Sequence, residues 1–268
     1  MIPEFLSQHS EVYIVKSRRQ KEIEAYILSQ GFATMEEIRD RFGISMNTVR
    51  RDIAELIKPG YIAKVYGGVK AEARPSALVP YAIRSSAPSA RKQAICVEAA
   101  QMVQDGDIVF IDSGTTTEYL MEALKNKNIT VITNNIEIMV QALEYENIRL
   151  IVVPGEIHRK THSITGEASA AFLGTMNTNI AFMAATGASM AGVTNSSPLE
   201  YSIKKTAVAH TEKAVLLATG AKFGITSLFT YAEFRQFHTV ITDDSIPAEY
   251  QKKLKDLGVE LRITAANP

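Results

Sequence analysis

One cysteine, Cys96, occurs in 268 residues, which excludes an intramolecular disulfide or a cysteine-rich zinc site and predicts a buried, inert thiol on a helix. No apolar run approaches the roughly 18 residues that a membrane helix needs, so no membrane partner is expected. Met1 to Gln20 lacks the basic-then-apolar layout of a secretory signal, and the expected location is the cytoplasm. Net charge is missing too, because 29 Lys and Arg residues balance 29 Asp and Glu. That balance argues against a uniformly basic nucleic-acid binder but not against a locally basic one. Between Lys16 and Arg74 twelve basic residues meet eight acidic ones, a surplus of four that the rest of the chain cancels. A basic DNA-reading head on a neutral-to-acidic body has this asymmetry. The 46% of hydrophobic residues suffices for a sizeable core, and the length suits a small domain joined to a medium one.

From Ser17 to Gln30, Ile23, Tyr26 and Ile27 recur at helical spacing, and Gly31 is placed to end the helix. Thr34 and Glu37 form a T-x-x-E capping box that opens a short helix through Phe42, with Ile38 and Phe42 on one face. Gly43 and Ile44 make a tight turn, and Ser45 is suited to cap a third helix. There Met46, Val49, Ile53 and Leu56 form the inward stripe, while Asn47, Thr48, Arg50 and Arg51 point outward. Arg can bond guanine bidentately and Asn adenine, so this face suits a major-groove reader. After Pro59 and Gly60, the runs Ile62 to Tyr66 and Val69 to Ala71 flank Gly67-Gly68 and predict a two-stranded wing. The plainer alternative is a small helical domain whose arginines form a solvated face.

The run from Phe42 through Arg50-Arg51-Asp52-Ile53 to Tyr66-Gly67-Gly68-Val69 resembles the N-terminal signature of DeoR-type (deoxyribose-operon-repressor-like) bacterial regulators of sugar metabolism. Family members usually carry His where Tyr66 stands. The resemblance implies double-stranded operator DNA as partner. The expected contacts are Arg18, Ser45, Asn47, Thr48, Arg50, Arg51, Lys64, Tyr66 and Gly67.

Glu72 to Ala90 carries Pro75, Pro80 and Pro88 among Ser and Ala, the composition of a connection. The expected organisation is a winged helix-turn-helix over 16–72, a linker over 73–90 and an α/β effector-sensing domain over 91–268. In the last, helical runs alternate with β-rich ones at Ile108 to Ile111, Thr130 to Thr133, Arg149 to Val153, Ile180 to Ala185, Lys213 to Ala218, Thr239 to Thr242 and Glu260 to Ile263. This alternation predicts a largely parallel sheet with helices on both faces. Ligands bind at the carboxyl ends of such strands, where this chain is polar. The first strand runs into Asp112-Ser113-Gly114-Thr115-Thr116-Thr117, a loop suited to an anion. Asn134 and Asn135 follow the second strand, Gly155 the third, Gly187 the fourth and Lys222 the fifth. A phosphate on the first loop and Lys222, with hydroxyls read by Asn134 or Asn135, uses these groups. Asp112 is expected to fix the loop or to accept a hydrogen bond from a sugar hydroxyl.

Read singly, each of these has a plain alternative as a cap, a turn or a surface lysine. As an ordered set, with Gly166 and Ala221-Lys222-Phe223-Gly224, they resemble the sensor domain of the same regulators. That resemblance implies a fold similar to ribose-phosphate isomerases and CoA transferases, and a small-molecule effector, usually a phosphorylated sugar. Most members have an Asp shortly before the lysine, where this chain has Ala218-Thr219-Gly220-Ala221.

His158 and His162 are four apart, but Gly155 before them and Arg159-Lys160 between them favour a mobile basic loop over a metal site. Arg159, Lys160 and Lys204 would add positive potential at the sensor mouth or form a solvated face. Neither metal nor cofactor is expected. The reading is a non-enzymatic repressor, dimeric or tetrameric because paired half-sites favour two-fold symmetry. The rival is a sugar-phosphate isomerase with an appended head, for which Asp112, Glu118 and Glu167 are the available bases. An RNA-binding head is disfavoured, because the third helix and wing lack an aromatic stacking platform.

Overall fold

The computed structural model describes residues 19–20, 22–24, 26–27, 32–58, 62–71 and 89–265. Arg18, Gly31, Pro59, Gly60 and nearly all of the expected linker lie outside them. The chain divides into two compact units, Met1–Ala87 and Pro88–Pro268.

In the first unit the described positions between 19 and 27 are helical, followed by β1 (Phe32–Thr34), α1 (Met35–Phe42), α2 (Met46–Leu56), β2 (Ile62–Val65) and β3 (Gly68–Ala71). Thr34 and Glu37 form the expected capping box, which satisfies amides that the first turn leaves without helical partners. Gly43, at φ 60°, closes α1 in the left-handed region, and Ser45 caps α2 by accepting from the Thr48 amide at 3.2 Å. Ile23, Ile27, Ile38, Val49, Ile53, Leu56, Ile62 and Val69 fill one apolar core. The expected wing has two strands, whereas the structure has three, in the order β1-β3-β2. Gly68 belongs to β3 rather than to the turn, pairing with both Val65 and Thr34, and it must be glycine because a Cβ there would lie 2.3 Å from the Ala33 carbonyl oxygen of β1.

One charged residue interrupts the inward stripe of α2. Asp52 is 1% exposed and accepts from Arg19 Nε and Gln20 Nε2, both at 2.8 Å, which ties the first helix to α2. Asp52→Ala should therefore destabilise the head by about 2 kcal/mol, since each hydrogen bond to a charged group contributes about 1.5–3 kcal/mol and the half-buried Arg19 would regain water. Urea unfolding of the full chain checks this, and an unmoved transition for the head would refute it.

The second unit is built on seven parallel strands: β4 (Ile108–Ile111), β5 (Ile129–Thr133), β6 (Ile148–Val152), β9 (Thr178–Ala184), β12 (Thr211–Leu217), β14 (Thr239–Asp243) and β15 (Glu260–Thr264). Each expected β-rich run overlaps one of them, and those ending at Val153, Ala185 and Ala218 run one residue past the strand. Alternate residues point to opposite faces. Phe110, Ala181, Met183, Leu216 and Val240 pack on one side with α7 (Pro198–Ala209) and α8 (Ala248–Asp256). Val109, Ile111, Phe182, Val215 and Ile241 pack on the other with α3 (Ala90–Ala100), α4 (Leu120–Leu124) and α5 (Ile136–Ala142). Cys96 is buried in this second layer, where burial pushes its thiol pKa up and leaves it inert.

Strand order is β15-β14-β12-β9-β4-β5-β6. From β4 the chain winds outward through β5 and β6, then returns to β9 and winds the other way. The reversal lies between β4 and β9, and sheets of this kind take ligands outside the carboxyl ends of the strands at that point. A hairpin, β7 (Glu156–His158) with β8 (Ser163–Thr165), and a small sheet of β10 (Gly187–Ser189), β11 (Gly192–Asn195) and β13 (Phe229–Ala232) also stand in this unit. The hairpin occupies the segment expected to be a mobile loop, and α6 (Glu167–Leu173) follows it.

Candidate functional site: a DNA-reading face and a sensor crevice

On α2, Asn47, Arg50 and Arg51 are exposed, while Thr48 is half-buried with its hydroxyl 2.9 Å from that of Ser45. Among the described residues Arg50, Arg51 and Lys64 make no ion pair, unlike Arg39, which is held by Asp40, and Lys58, held by Glu55. Their charge is therefore available to an outside anion. In the wing Val65 pairs with Gly68, leaving Tyr66 and Gly67 as a two-residue turn with Gly67 at φ 84°. Tyr66 is fully exposed at its tip. Arg18 lies outside the described residues.

In the second unit the residues after β4 and β9 meet at the switch point. The Asp112 amide donates to Phe182 O at 3.0 Å, and Asp112 Oδ2 accepts from the Ala184 amide at 2.9 Å. Gly114 is required here, since a Cβ would lie 2.5 Å from that of Ala184. Asp112 Oδ2 also accepts from Lys204 Nζ at 2.5 Å, and neither residue is more than 3% exposed. Lys204 is thus not a solvated or mouth-lining charge, which corrects both sequence-based readings of it. Burial pushes the Asp112 carboxyl up, and Lys204 opposes that.

One helical turn before Lys204, Glu200 is 4% exposed and accepts from Ser113 Oγ at 3.1 Å, Ser163 Oγ at 2.9 Å and Asn195 Nδ2 at 3.3 Å. Ser163 is linked in turn through Thr161 Oγ1 to His158 Nδ1, at 2.7 and 2.8 Å. His158 is therefore engaged inside the hairpin, and His162 Nδ1 lies 2.9 Å from Glu137 Oε1. No three His, Cys, Asp or Glu side chains gather to hold a metal among the described residues.

The rest of the first loop is divided between structure and surface. Thr117 is buried and donates to the carbonyls of Asp112 and Gly114 at 2.7 and 3.0 Å, so it holds the loop in shape. Thr115 Oγ1 accepts from Lys92 Nζ at 3.1 Å, and Thr116 is half-exposed. Lys92, from the first turn of α3, brings a cation to this loop that the sequence reading did not single out. The helix expected at Glu118 opens as a 3-10 turn, Thr117–Tyr119.

Asn134 is completely buried and donates to Ile164 O at 3.3 Å. Asn135 caps α5 by accepting from the Glu137 amide at 3.0 Å, so its side-chain oxygen is already engaged. Gly155 and Gly187 are steric necessities. A Cβ on the first, at φ 152°, would lie 2.4 Å from Ser169 Oγ, and one on the second 2.4 Å from Ile225 O. Lys222 is half-buried in a 3-10 turn, Gly220–Lys222, anchored by Asp243, whose Oδ2 accepts from the Gly220 amide at 3.1 Å.

Glu200, Asn195 and Ser163 were missed by the sequence reading, and Lys204 was placed at the mouth or on the surface rather than on Asp112. A signal existed: Ile203, Ala207 and Val208 mark the inward stripe of α7, and stepping back three or four residues lands on Glu200 and Lys204.

A family model of the DeoR-like helix-turn-helix domain matches residues 19–74, and one of the DeoR C terminal sensor domain matches residues 88–244. The HTH-type transcriptional regulator IolR of Bacillus subtilis (strain 168) is 40% identical over 251 residues, covering 92% of this chain and 100% of the relative. The glycerol-3-phosphate regulon repressor of Escherichia coli (strain K12) is 27% identical over 256 residues, 92% of this chain and 99% of that one. Among solved structures, ribose 5-phosphate isomerase A from Methanocaldococcus jannaschii is similar with a TM-score of 0.36 and 18% identity, over 49% of this chain and 53% of that chain. With its helix-turn-helix and its sensor unit each matched, the chain belongs to the DeoR family of DNA-binding transcriptional regulators.

Proposed function

We propose that this regulator is a cytoplasmic repressor of a carbohydrate-utilisation operon, released from its operator when a small phosphorylated sugar or polyol enters the sensor crevice. It acts as a dimer or tetramer and works by binding, without turnover. DNA is read by Asn47, Arg50 and Arg51, with Ser45 and Thr48 at the start of α2 and Lys64, Tyr66 and Gly67 of the wing on the backbone; Arg18 belongs to the same proposed surface. The phosphate sits on Thr115 and Thr116 beside Lys92, with Lys222 closing on it. The observation that carries this reading is the polar switch-point edge, with Lys92 on the first loop, in a chain whose α2 presents arginines with no ion pair among the described residues. The 27% identical relative named for a glycerol-3-phosphate regulon supports the ligand class. Against turnover stands Asp112, whose carboxylate is paired with the Lys204 ammonium through Oδ2 and is therefore a poor base for a substrate proton.

Titrating the full chain on operator DNA with three- to six-carbon sugar phosphates tests the proposal. One of them should release DNA, and operator should weaken binding of that compound by the same factor. Lys92→Ala and Lys222→Ala should each blunt release tenfold or more while leaving effector-free operator binding within about twofold, as loss of a charge-assisted contact of about 1.5–3 kcal/mol implies. Release unchanged in both variants would remove the phosphate from this loop, and conversion of the compound to an isomer would favour the enzyme instead.

A further inference from the structure

Five buried side-chain atoms have no hydrogen-bond partner within the protein among the described residues: Asp112 Oδ1, Asn134 Oδ1, Ser196 Oγ, Ser197 Oγ and Thr242 Oγ1. Thr242 lies on β14, but the other four belong to one network. Asp112 is bonded to Lys204, one turn from Glu200 on α7. Glu200 holds Ser113, Ser163 and Asn195. Ser196 and Ser197 connect Asn195 to α7, and Asn195 Nδ2 also donates to Ser197 O at 3.2 Å. Ser197 stands at the N-cap of α7, yet its hydroxyl makes no capping bond. Asn134 exchanges hydrogen bonds with the backbone of Ile164, the neighbour of Ser163.

A buried polar atom left unpaired opposes folding, and native proteins keep few of them. Four in one network at the switch point of a ligand-binding sheet mark groups held ready for something outside the chain. Their chemistry restricts what that is. Asp112 Oδ1 and Asn134 Oδ1 only accept, so the ligand must donate, whereas the serine hydroxyls do either. The carboxylates of Asp112 and Glu200 disfavour an anion at this end, and Lys204 disfavours an ammonium. Neutral hydroxyl groups satisfy every constraint.

We propose that Asp112, Asn134, Ser196 and Ser197, with Glu200 and Lys204 behind them, form the floor of the effector crevice and read at least two hydroxyl groups on the uncharged end of a sugar or polyol. This rests on the placing of the effector in the preceding section, and it leaves the anionic group to the rim at Lys92 and Thr115.

The test uses a full-length double variant, Ser196→Ala with Ser197→Ala, in thermal-shift titrations. The probes are inorganic phosphate, glycerol 3-phosphate, ribose 5-phosphate and glucose 6-phosphate. Because the two hydroxyls have no partner, the double variant should melt at or above the parent temperature. At least one ester should stabilise the parent more than inorganic phosphate does at equal concentration, and the double variant should lose that excess through a tenfold or greater fall in affinity. Inorganic phosphate should act on both alike. An excess kept by the double variant, no ester exceeding inorganic phosphate, or a double variant several degrees less stable than the parent would each overturn the hydroxyl floor. Operator binding separates the two readings: an ester that releases DNA from parent and double variant alike leaves the regulator standing without the floor, while a parent that binds no operator removes the regulator whatever the melting data show.

Discussion

Lys204→Met should destabilise the sensor domain by about 3–5 kcal/mol, because it leaves Asp112 buried opposite nothing that compensates its charge. Both partners are sealed from water, so the exposure that weakens surface ion pairs does not apply. The size has an independent bound. A buried carboxylate can escape by taking up a proton, and neutralising an ordinary Asp of pKa about 3.9 at pH 7 costs about 4 kcal/mol. The same reasoning sets the pH dependence. In the variant, burial raises the Asp112 pKa with only the Ala184 amide left to oppose it, so Asp112 contributes stability that is fully present below the unfolded value and is lost as pH rises through the folded one. The gap between parent and variant should therefore be smallest near pH 4 and widen by up to about 1.4 kcal/mol per unit toward neutrality. Urea unfolding at pH 5 and pH 7.5 measures it. Adding Asp112→Asn to Lys204→Met should recover much of the loss, since no buried charge then remains. A gap independent of pH would show that the pair is not ionised in the folded protein.

Arg50→Ala and Arg51→Ala should each weaken specific operator binding by about 1–3 kcal/mol per head, roughly 5- to 150-fold, if they bond base edges bidentately. Both are exposed and without ion-pair partners among the described residues, so no internal interaction is lost and the fold should be unaffected. In a two-headed complex the loss occurs twice. Lys64→Ala, a wing contact to the backbone, should act differently, weakening binding to all sequences and reducing the salt slope by about one. Anisotropy titrations across a salt series, on an operator selected from random DNA, distinguish these outcomes. If both arginine variants bind like the parent with unchanged circular dichroism, α2 is not the reading helix.

Much of this architecture is written in short-range patterns. Thr34 with Glu37, Gly43 and Ser45 mark the helix ends of the head because capping is decided within four residues. The seven sheet strands are legible because a parallel strand buried on both faces needs an unbroken apolar run, as Ile108–Ile111 provides. The polar residues after those strands can be seen in the same way, but their division of labour cannot. Asn135 and Thr117 are spent on a cap and a loop, whereas Asn134 keeps an oxygen unpaired. Asn135 and Thr117 meet partners within five residues, whereas Asn134 meets Ile164, 30 positions on, and nothing in the local sequence tells which of these side chains will be used up nearby.

Tertiary structure alone decided the fate of Glu200 and Lys204. On an isolated helix, opposite charges four apart lie on a water-facing side. Here the packing of α7 on the sheet turns that side inward, and Asp112, 92 positions earlier, meets Lys204 there. The third strand of the head depends likewise on β1 reaching Gly68. The sequence by itself determined the capped helices of the head, the seven strands of the large sheet and the polar character of their ends, because local sterics and side-chain periodicity act over a few residues. Which polar groups pair with one another and which stay open to a ligand was decided only when distant segments were packed together, because in a buried site a hydrogen bond depends on ångström distances that chain separation does not encode.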